Sequence, residues 1–499
     1  MFLMSARGHG RQTMNFPSRR RALALALLFA LSFSLRFGFL SKGPFHIDAL
    51  DLALSSQKTL ETLRLCYEHG TGYPLTVLLG SVFILFFKMF GVADPVFCVN
   101  VMSAFFGALG VVIMFLFVER LFDERTAMAT AALMALFAPH VAISTFGKSL
   151  TLSICCALAA AYFALRYSRE GRRSQLVAAA LFLGFCAASR LSDVVVAVPL
   201  IFILWERPGT IRERLRSIVV FGALSFLTAF LYYVPMLLEK GVAPLTQAIT
   251  RGNEAAFLGL FSPVLILSFR WLLYVMDFLG ALVAAAGVVF MLVERRFKPL
   301  IFLAAWFFVF QFFYGNVSSS GVRYLVIGWL SLLVAQGYFL GRFKGRWLWA
   351  SSIILFIAAM GPLLRAAPAL EFRHRHALQI DYARWVASQT SPEDLILAED
   401  EGIFLQVYGG RDVLVRSDEC DDARVGRFIE ENIDRALAEG RRVFAPDSAF
   451  AYDSCHKFEK RIRKDYQRIY LGARPNESWH HALMNRKLFR EVLWEIKKK

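Results

Sequence analysis

The chain has 499 residues, 57% of them hydrophobic and 48 of them Phe, with a mean hydropathy of +0.49. Soluble domains are about 45–50% apolar, so this composition excludes an ordinary soluble protein and points to a polytopic membrane protein. The net charge of +17 comes from 56 basic and 39 acidic residues. Its clusters lie between apolar runs rather than among exposed aromatics, which fits loops facing anionic lipid and excludes a nucleic-acid groove.

Six short basic stretches punctuate the chain: Arg19–Arg21, Arg120–Arg125, Arg166–Arg173, Arg207–Arg216, Arg295–Lys298 and Arg342–Arg346. Lys and Arg collect in short cytoplasmic loops, so these stretches give both the number of crossings and their direction. A crossing needs about 20 apolar residues. After a cytoplasmic basic leader (1–21), the predicted spans are Ala22–Leu40, Pro95–Val118, Ala127–Ile143, Leu150–Leu165, Ser174–Ser189 and Leu191–Trp205, followed by Ile218–Leu238, Trp271–Val293, Pro299–Phe313, Tyr324–Leu340 and Trp347–Leu364. The first run is longer than a signal-peptide core and lacks a clear A-x-A site, so it reads as an uncleaved helix. Tyr73–Phe90 is apolar enough to cross, but counting it would turn every later basic loop outward. It is therefore expected to be a re-entrant or interfacial helix within the outward loop 41–94. The run from Ser174 to Trp205 would be about 48 Å long as one helix, too long for one crossing, so a hairpin is expected near Arg190.

The predicted fold is thus a membrane domain over 22–366 with about 11 helices, followed by a small extracytoplasmic α/β domain over 367–499. In the latter, Asp394–Glu399, Val413–Val415 and Arg442–Ala445 read as strands, and Phe428–Glu439 as an amphipathic helix ending at Gly440. Of seven Cys, Cys98, Cys155, Cys156 and Cys186 sit in apolar segments and read as packing residues. Cys66, Cys420 and Cys455 fall outside, where a Cys420–Cys455 disulfide is permitted.

The outward loops carry the residues with chemistry. The first holds His46-Ile47-Asp48-Ala49-Leu50-Asp51, then Glu68-His69-Gly70-Thr71-Gly72-Tyr73-Pro74. If helical, Asp48 and Asp51 share one face, a pair suited to general-base work or to a divalent cation such as Mg or Mn. Acids in a solvated loop are also common without function. Arg323 opens the tenth span on its outer edge, against the positive-inside trend; it reads either as a snorkelling arginine or as a bidentate phosphate ligand. Lys148 and Arg190 are two further outward cations at membrane-edge depth. Asp277 lies inside the eighth span, where an ionisable group is costly and turns inward, and Arg270, seven residues earlier, is badly placed to pair with it. Glu239, Lys240, Arg251 and Glu254 occupy a loop, Glu239–Phe261, that would serve as a lid.

The order of these landmarks resembles the GT-C superfamily of membrane glycosyltransferases, in its branch of protein O-mannosyltransferases and lipid A aminoarabinose transferases. Asp48 falls at the acidic motif that follows the first span. The second acid often found beside it is replaced by Ala49, leaving Asp51 as a substitute. Gly72-Tyr73-Pro74-Leu75 is similar to the turn before the juxtamembrane helix, and Arg120-Leu121-Phe122-Asp123-Glu124-Arg125 to a short basic turn. Ala188-Ser189-Arg190 and Arg323-Tyr324-Leu325 match the remaining landmarks. Gly147-Lys148-Ser149-Leu150-Thr151 lacks the acid that the family often has after Pro139-His140. The resemblance spans roughly residues 22–364. It implies sugar transfer from a polyprenyl-phosphate donor, with Asp48 as base aided by Asp51, and with Arg323, Lys148 and Arg190 on the donor phosphate. His69, Tyr73, Asp277 and Tyr324 are further substrate-facing candidates. No P-loop or Rossmann fingerprint is present. A transporter or flippase would predict repeated halves with broken helices, and no repeat is visible. A membrane-anchored envelope assembly protein would leave the first-loop acids dispensable.

Overall fold

A computed structural model describes residues 18–66, 72–241, 261–316, 321–399, 402–415, 421–451, 455–477 and 483–499. Its helical part runs through α1 (Ser18–Gly38), α2 (Ile47–Thr62), α3 (Pro74–Lys88), α4 (Pro95–Leu121), α5 (Glu124–Leu136), α6 (Ala138–Ile143), α7 (Leu150–Glu170) and α8 (Arg173–Ser189). A 3₁₀ turn (Leu191–Val196) then leads into α9 (Ala197–Trp205), α10 (Ile211–Lys240), α11 (Pro263–Val293), α12 (Phe297–Gly315), α13 (Val322–Leu340) and α14 (Leu348–Arg375). Among the described residues, eight helices are long and apolar enough to cross a membrane. Three shorter apolar segments accompany them, at 74–88, 173–189 and 191–205. The chain is an integral membrane protein, since helices satisfy their own backbone groups in hydrocarbon.

Local chemistry sets where the helices begin. Asp94 caps α4 by accepting from Val96 N at 2.9 Å, with Pro95 in the first turn. Asp123 caps α5 through Thr126 N at 2.9 Å. Thr210 and Glu213 form a reciprocal capping box at the start of α10. Such caps contribute about 1 kcal/mol each. Small residues set how closely the helices cross. A Cβ on Gly287 of α11 would run into the Ala335 carbonyl of α13, and one on Gly337 of α13 into Thr130 of α5.

Residues 73–90, expected not to span, contain α3, 15 residues long and so about 22 Å. It packs on α2, where Ser81 Oγ donates to Ser56 O at 2.7 Å. The predicted span Ala127–Ile143 is not one helix. It breaks at Phe137, whose extended ψ of 108° separates α5 from α6 just ahead of Pro139. The turn expected near Arg190 is present, with Arg190 extended (φ −159°, ψ 104°) before the 3₁₀ segment. Helix α11 is kinked at Asp277, which has φ 56° and ψ 169°.

Beyond α14 the chain forms α15 (Leu378–Gln389), β1 (Leu395–Ala398), α16 (Gly402–Gly409) and β2 (Val413–Val415). Helix α17 (Asp422–Phe428) continues through a π turn into α18 (Arg435–Ala438), and is followed by β3 (Val443–Pro446), α19 (Ser448–Ala451), α20 (Lys457–Asp465), β4 (Tyr466–Glu477) and β5 (Leu488–Lys498). The strands join in the order β2-β1-β3-β5-β4, with β1 parallel to both β2 and β3 and the β4–β5 pair antiparallel. The three strands read from the sequence are β1, β2 and β3. The long β4–β5 pair was not anticipated, because its polar residues occur on both faces. Cys455 is disulfide-bonded; its expected partner, Cys420, lies outside the described residues.

Candidate functional site

Asp48 sits in the first turn of α2 and Lys148 just before α7. Lys148 Nζ lies 2.5 Å from Asp48 Oδ2. The ammonium is buried while the carboxylate keeps 18% of its surface, so the pair is open only on the acid's side. Burial, reinforced by the nearby Arg323 guanidinium, pushes the Lys148 amine below its usual range, and Asp48 pulls it back up. Two polar residues of α4 tie the loops carrying this pair together. Asn100 donates to Ser41 O at 3.0 Å and accepts from Gly147 N at 2.6 Å. Ser103 Oγ accepts from Lys148 N at 3.0 Å. Ser41 N also donates directly to Thr145 O at 2.8 Å.

His46 joins this pair to the third cation. Arg323 Nη1 lies 2.8 Å from His46 Nε2, and because a guanidinium can only donate, Nε2 is the acceptor. The other ring nitrogen is 3.4 Å from Asp48 Oδ1. Burial and the Lys148 ammonium hold the imidazole down at about 3, so His46 is neutral near pH 7. Arg323 also donates to Tyr324 OH at 2.9 Å. The Tyr324 ring lies under two guanidiniums, with Arg323 Cζ 4.7 Å and Arg190 Cζ 4.6 Å from its centre. It stacks on Tyr314 at 5.5 Å. Tyr314 OH donates to Asp193 Oδ1 at 2.6 Å, while Ser153 holds the other Asp193 oxygen at 2.6 Å and Arg190 Nε lies 3.5 Å from Oδ1.

All three predicted cations, Lys148, Arg190 and Arg323, therefore meet beside Asp48 and Tyr324. Among the described residues, two carboxylates face them, Asp48 and Asp193, which leaves a surplus of one positive charge there. That surplus, with planar guanidiniums on an aromatic face, suits a phosphate. The sequence alone does not mark His46, Asn100, Ser103, Asp193 or Tyr314 as site residues. The available signal was an Asn and a Ser three apart inside the apolar run of α4, and an Asp three residues after Arg190.

Other predicted residues fall elsewhere. Asp51 is one turn beyond Asp48 on α2 and partly exposed, so the helical condition for a shared face is met. Tyr73 precedes α3 in a left-handed conformation, φ 46°. Asp277 pairs with Arg365 of α14, Oδ1 to Nη2 at 2.6 Å. His69 and most of the predicted lid, including Arg251 and Glu254, lie outside the described residues.

A divalent cation fits this arrangement poorly. The Asp48 oxygens face an ammonium and an imidazole, and a dication there would be repelled by both Lys148 and Arg323. Among the described residues no group of three or more His, Cys, Asp or Glu side chains converges.

Residues 77–233 match the family model of dolichyl-phosphate-mannose-protein mannosyltransferases. No curated protein sequence matches the chain. Among solved structures, the chain is similar to ArnT from Cupriavidus metallidurans bound to undecaprenyl phosphate. The TM-score is 0.63 at 15% identity, covering 96% of this chain and 98% of that one. It is also similar to the oligosaccharyltransferase AglB from Archaeoglobus fulgidus in complex with an inhibitory peptide and a dolichol-phosphate, with TM-score 0.58, 14% identity, and coverage of 92% and 74%. A complex of the Archaeoglobus fulgidus oligosaccharyltransferase with Zn and sulfate matches at TM-score 0.57 and 14% identity, covering 89% and 71%.

Proposed function

We propose that this chain, which has the GT-C glycosyltransferase fold, moves a sugar from a polyprenyl-phosphate-linked donor to an acceptor on the extracytoplasmic side of the membrane. The observation that carries the reading is the Asp48–Lys148 pair, 2.5 Å apart, beside two guanidiniums that share the Tyr324 ring. A lipid-borne donor needs an apolar bundle for its tail and cations for its phosphate, and both occur here. The structural neighbours were solved with undecaprenyl phosphate and dolichol-phosphate, lipids of the proposed class.

The donor phosphate would take Arg323, Arg190 and the Lys148 ammonium as its ligands. Drawing Lys148 toward phosphate frees Asp48 to accept the proton of an acceptor hydroxyl. The hydroxyl oxygen attacks the sugar's C1 as the C1–O bond to phosphate breaks, and the bonding pair leaves on the phosphate oxygen. Attack opposite the departing group inverts the anomeric centre. Negative charge grows on the leaving phosphate, where fixed cations stabilise it most. The basic loops support an N-terminus in the cytoplasm and a sheet domain outside.

The reading is tested by removing the protein from its host and comparing masses of lipids, lipopolysaccharide and envelope proteins. A lost mass equal to one sugar residue gives the class of sugar and the molecule that carries it. An unchanged envelope would contradict the reading.

A further inference from the structure

Arg373, at the end of α14, is buried among groups from three other parts of the chain. Its Nε and Nη2 donate to Glu477 Oε1 of β4 at 3.1 and 3.0 Å. Nη1 donates to Leu483 O and Nη2 to Asn485 O, both at 2.8 Å, fixing residues 483–485 ahead of β5. Leu483 and Met484 are themselves buried against the helical bundle. On the other side, Arg373 Cζ lies only 3.7 Å from the centre of the Phe45 ring, and Arg373 O accepts from Lys42 N at 2.9 Å. The adjacent His374 Nδ1 lies 2.8 Å from Leu40 O.

From Phe45 the packing leads straight to the charged pair. Phe45 meets Phe146 edge-on at 5.4 Å, and Phe146 stacks with His46 at 6.4 Å. Phe146 is two residues before Lys148, and His46 two before Asp48. Both loops that carry the ion pair thus rest on one aromatic contact, and the guanidinium of Arg373 covers it. Arg373 is only 4% exposed and Glu477 3%, so the contact is shielded from water and holds a fixed geometry.

We propose that Arg373 is a positioning residue through which the C-terminal sheet sets the placement of Asp48 against Lys148. The proposal rests on the reading of Asp48 as the base. It gives the sheet domain a role in the reaction without touching substrate: Glu477 and the carbonyls of Leu483 and Asn485 hold the guanidinium over Phe45, while the Arg373 main-chain carbonyl accepts from Lys42 N.

The test uses the full chain in lipid nanodiscs, with the variants Arg373→Gln, Arg373→Lys and Phe45→Leu. Two quantities are measured: hydrogen exchange of the 40–48 and 145–149 amides, and turnover of a polyprenyl-phosphate sugar. In Arg373→Gln and Phe45→Leu, exchange should rise in those two segments while the long helices stay protected. kcat should fall about 10²-fold with donor KM within about twofold, as expected for misplacement rather than lost binding. Arg373→Lys, which keeps the charge on Glu477, should recover part of kcat. Phe45→Leu strands no buried charge and keeps the test decisive if Arg373→Gln misfolds. Unchanged local exchange, or wild-type kcat in both Arg373→Gln and Phe45→Leu, would overturn the proposal. So would a rise in exchange spread over the whole chain. A wild-type chain that turns over no donor would overturn the transferase reading instead, and the exchange data would still decide the coupling.

Discussion

Lys148 and Asp48, one hundred residues apart in sequence, meet at 2.5 Å with the ammonium buried and the carboxylate open on one side. An amine taken out of water is stable there only with a counter-charge, so each residue depends on the other. The same pairing keeps the carboxylate occupied until another anion competes for Lys148.

Lys148→Met removes the ammonium and keeps most of the stem. Stranding one charge of a buried pair costs roughly 3–5 kcal/mol, an upper bound for Asp48, which retains some water contact. The double variant Lys148→Met/Asp48→Asn should regain most of the lost thermal stability, because no charge remains unpaired. It should not regain transfer. Recovery of both by the double variant would make the pair purely structural.

Arg323 separates phosphate binding from membrane anchoring. Arg323→Lys keeps the charge but loses the planar fork, the donor to Tyr324 OH and the stacking on its ring. Donor turnover should fall steeply in Arg323→Lys and almost vanish in Arg323→Ala, at normal membrane insertion. Initial rates on a polyprenyl-phosphate sugar at saturating acceptor measure this. Wild-type rates in Arg323→Lys would reassign the phosphate to Lys148 and Arg190.

His46 gives a pH signature. In the folded chain it stays neutral down to about 3, whereas in an unfolded chain it takes a proton near pH 6.5. Between those values the unfolded state binds the extra proton, so stability falls as pH drops from about 6.5 toward 3. Thermal midpoints measured at about pH 7 and pH 5 should show a smaller drop for His46→Gln than for wild type. Equal drops would mean that the imidazole is not held neutral.

Much of this architecture was legible in the sequence, for physical reasons. Spans such as Pro95–Val118 are visible because hydrocarbon requires long apolar runs, and basic loops lie between them. Asp48, Lys148, Arg190 and Arg323 stood out as charges at places where apolar sequence gives way to loops. The contacts among them were not legible. Asn100 reaches Ser41 and Gly147, and Tyr314 reaches Asp193, only because helices far apart in sequence pack side by side. Asp277 was read as an interior-facing charge beside a badly placed Arg270; the partner it found, Arg365, lies on another helix. Arg373 carries no sequence signal of its own among the basic residues that end α14, and its partner Glu477 belongs to a strand whose mixed polar pattern hides it.

The central claim is that Asp48 takes the acceptor's proton while the cations hold the donor phosphate. Asp48→Asn is nearly isosteric but leaves the buried Lys148 ammonium without its counter-charge, so thermal stability should fall while membrane insertion and binding of undecaprenyl phosphate, measured in parallel, persist. Single-turnover transfer from a polyprenyl-phosphate sugar, measured for wild type and Asp48→Asn side by side, is the most direct test. The account predicts a loss of about 10²–10⁴-fold in the Asn variant, the usual cost of removing a general base. Near-wild-type transfer by Asp48→Asn would contradict it.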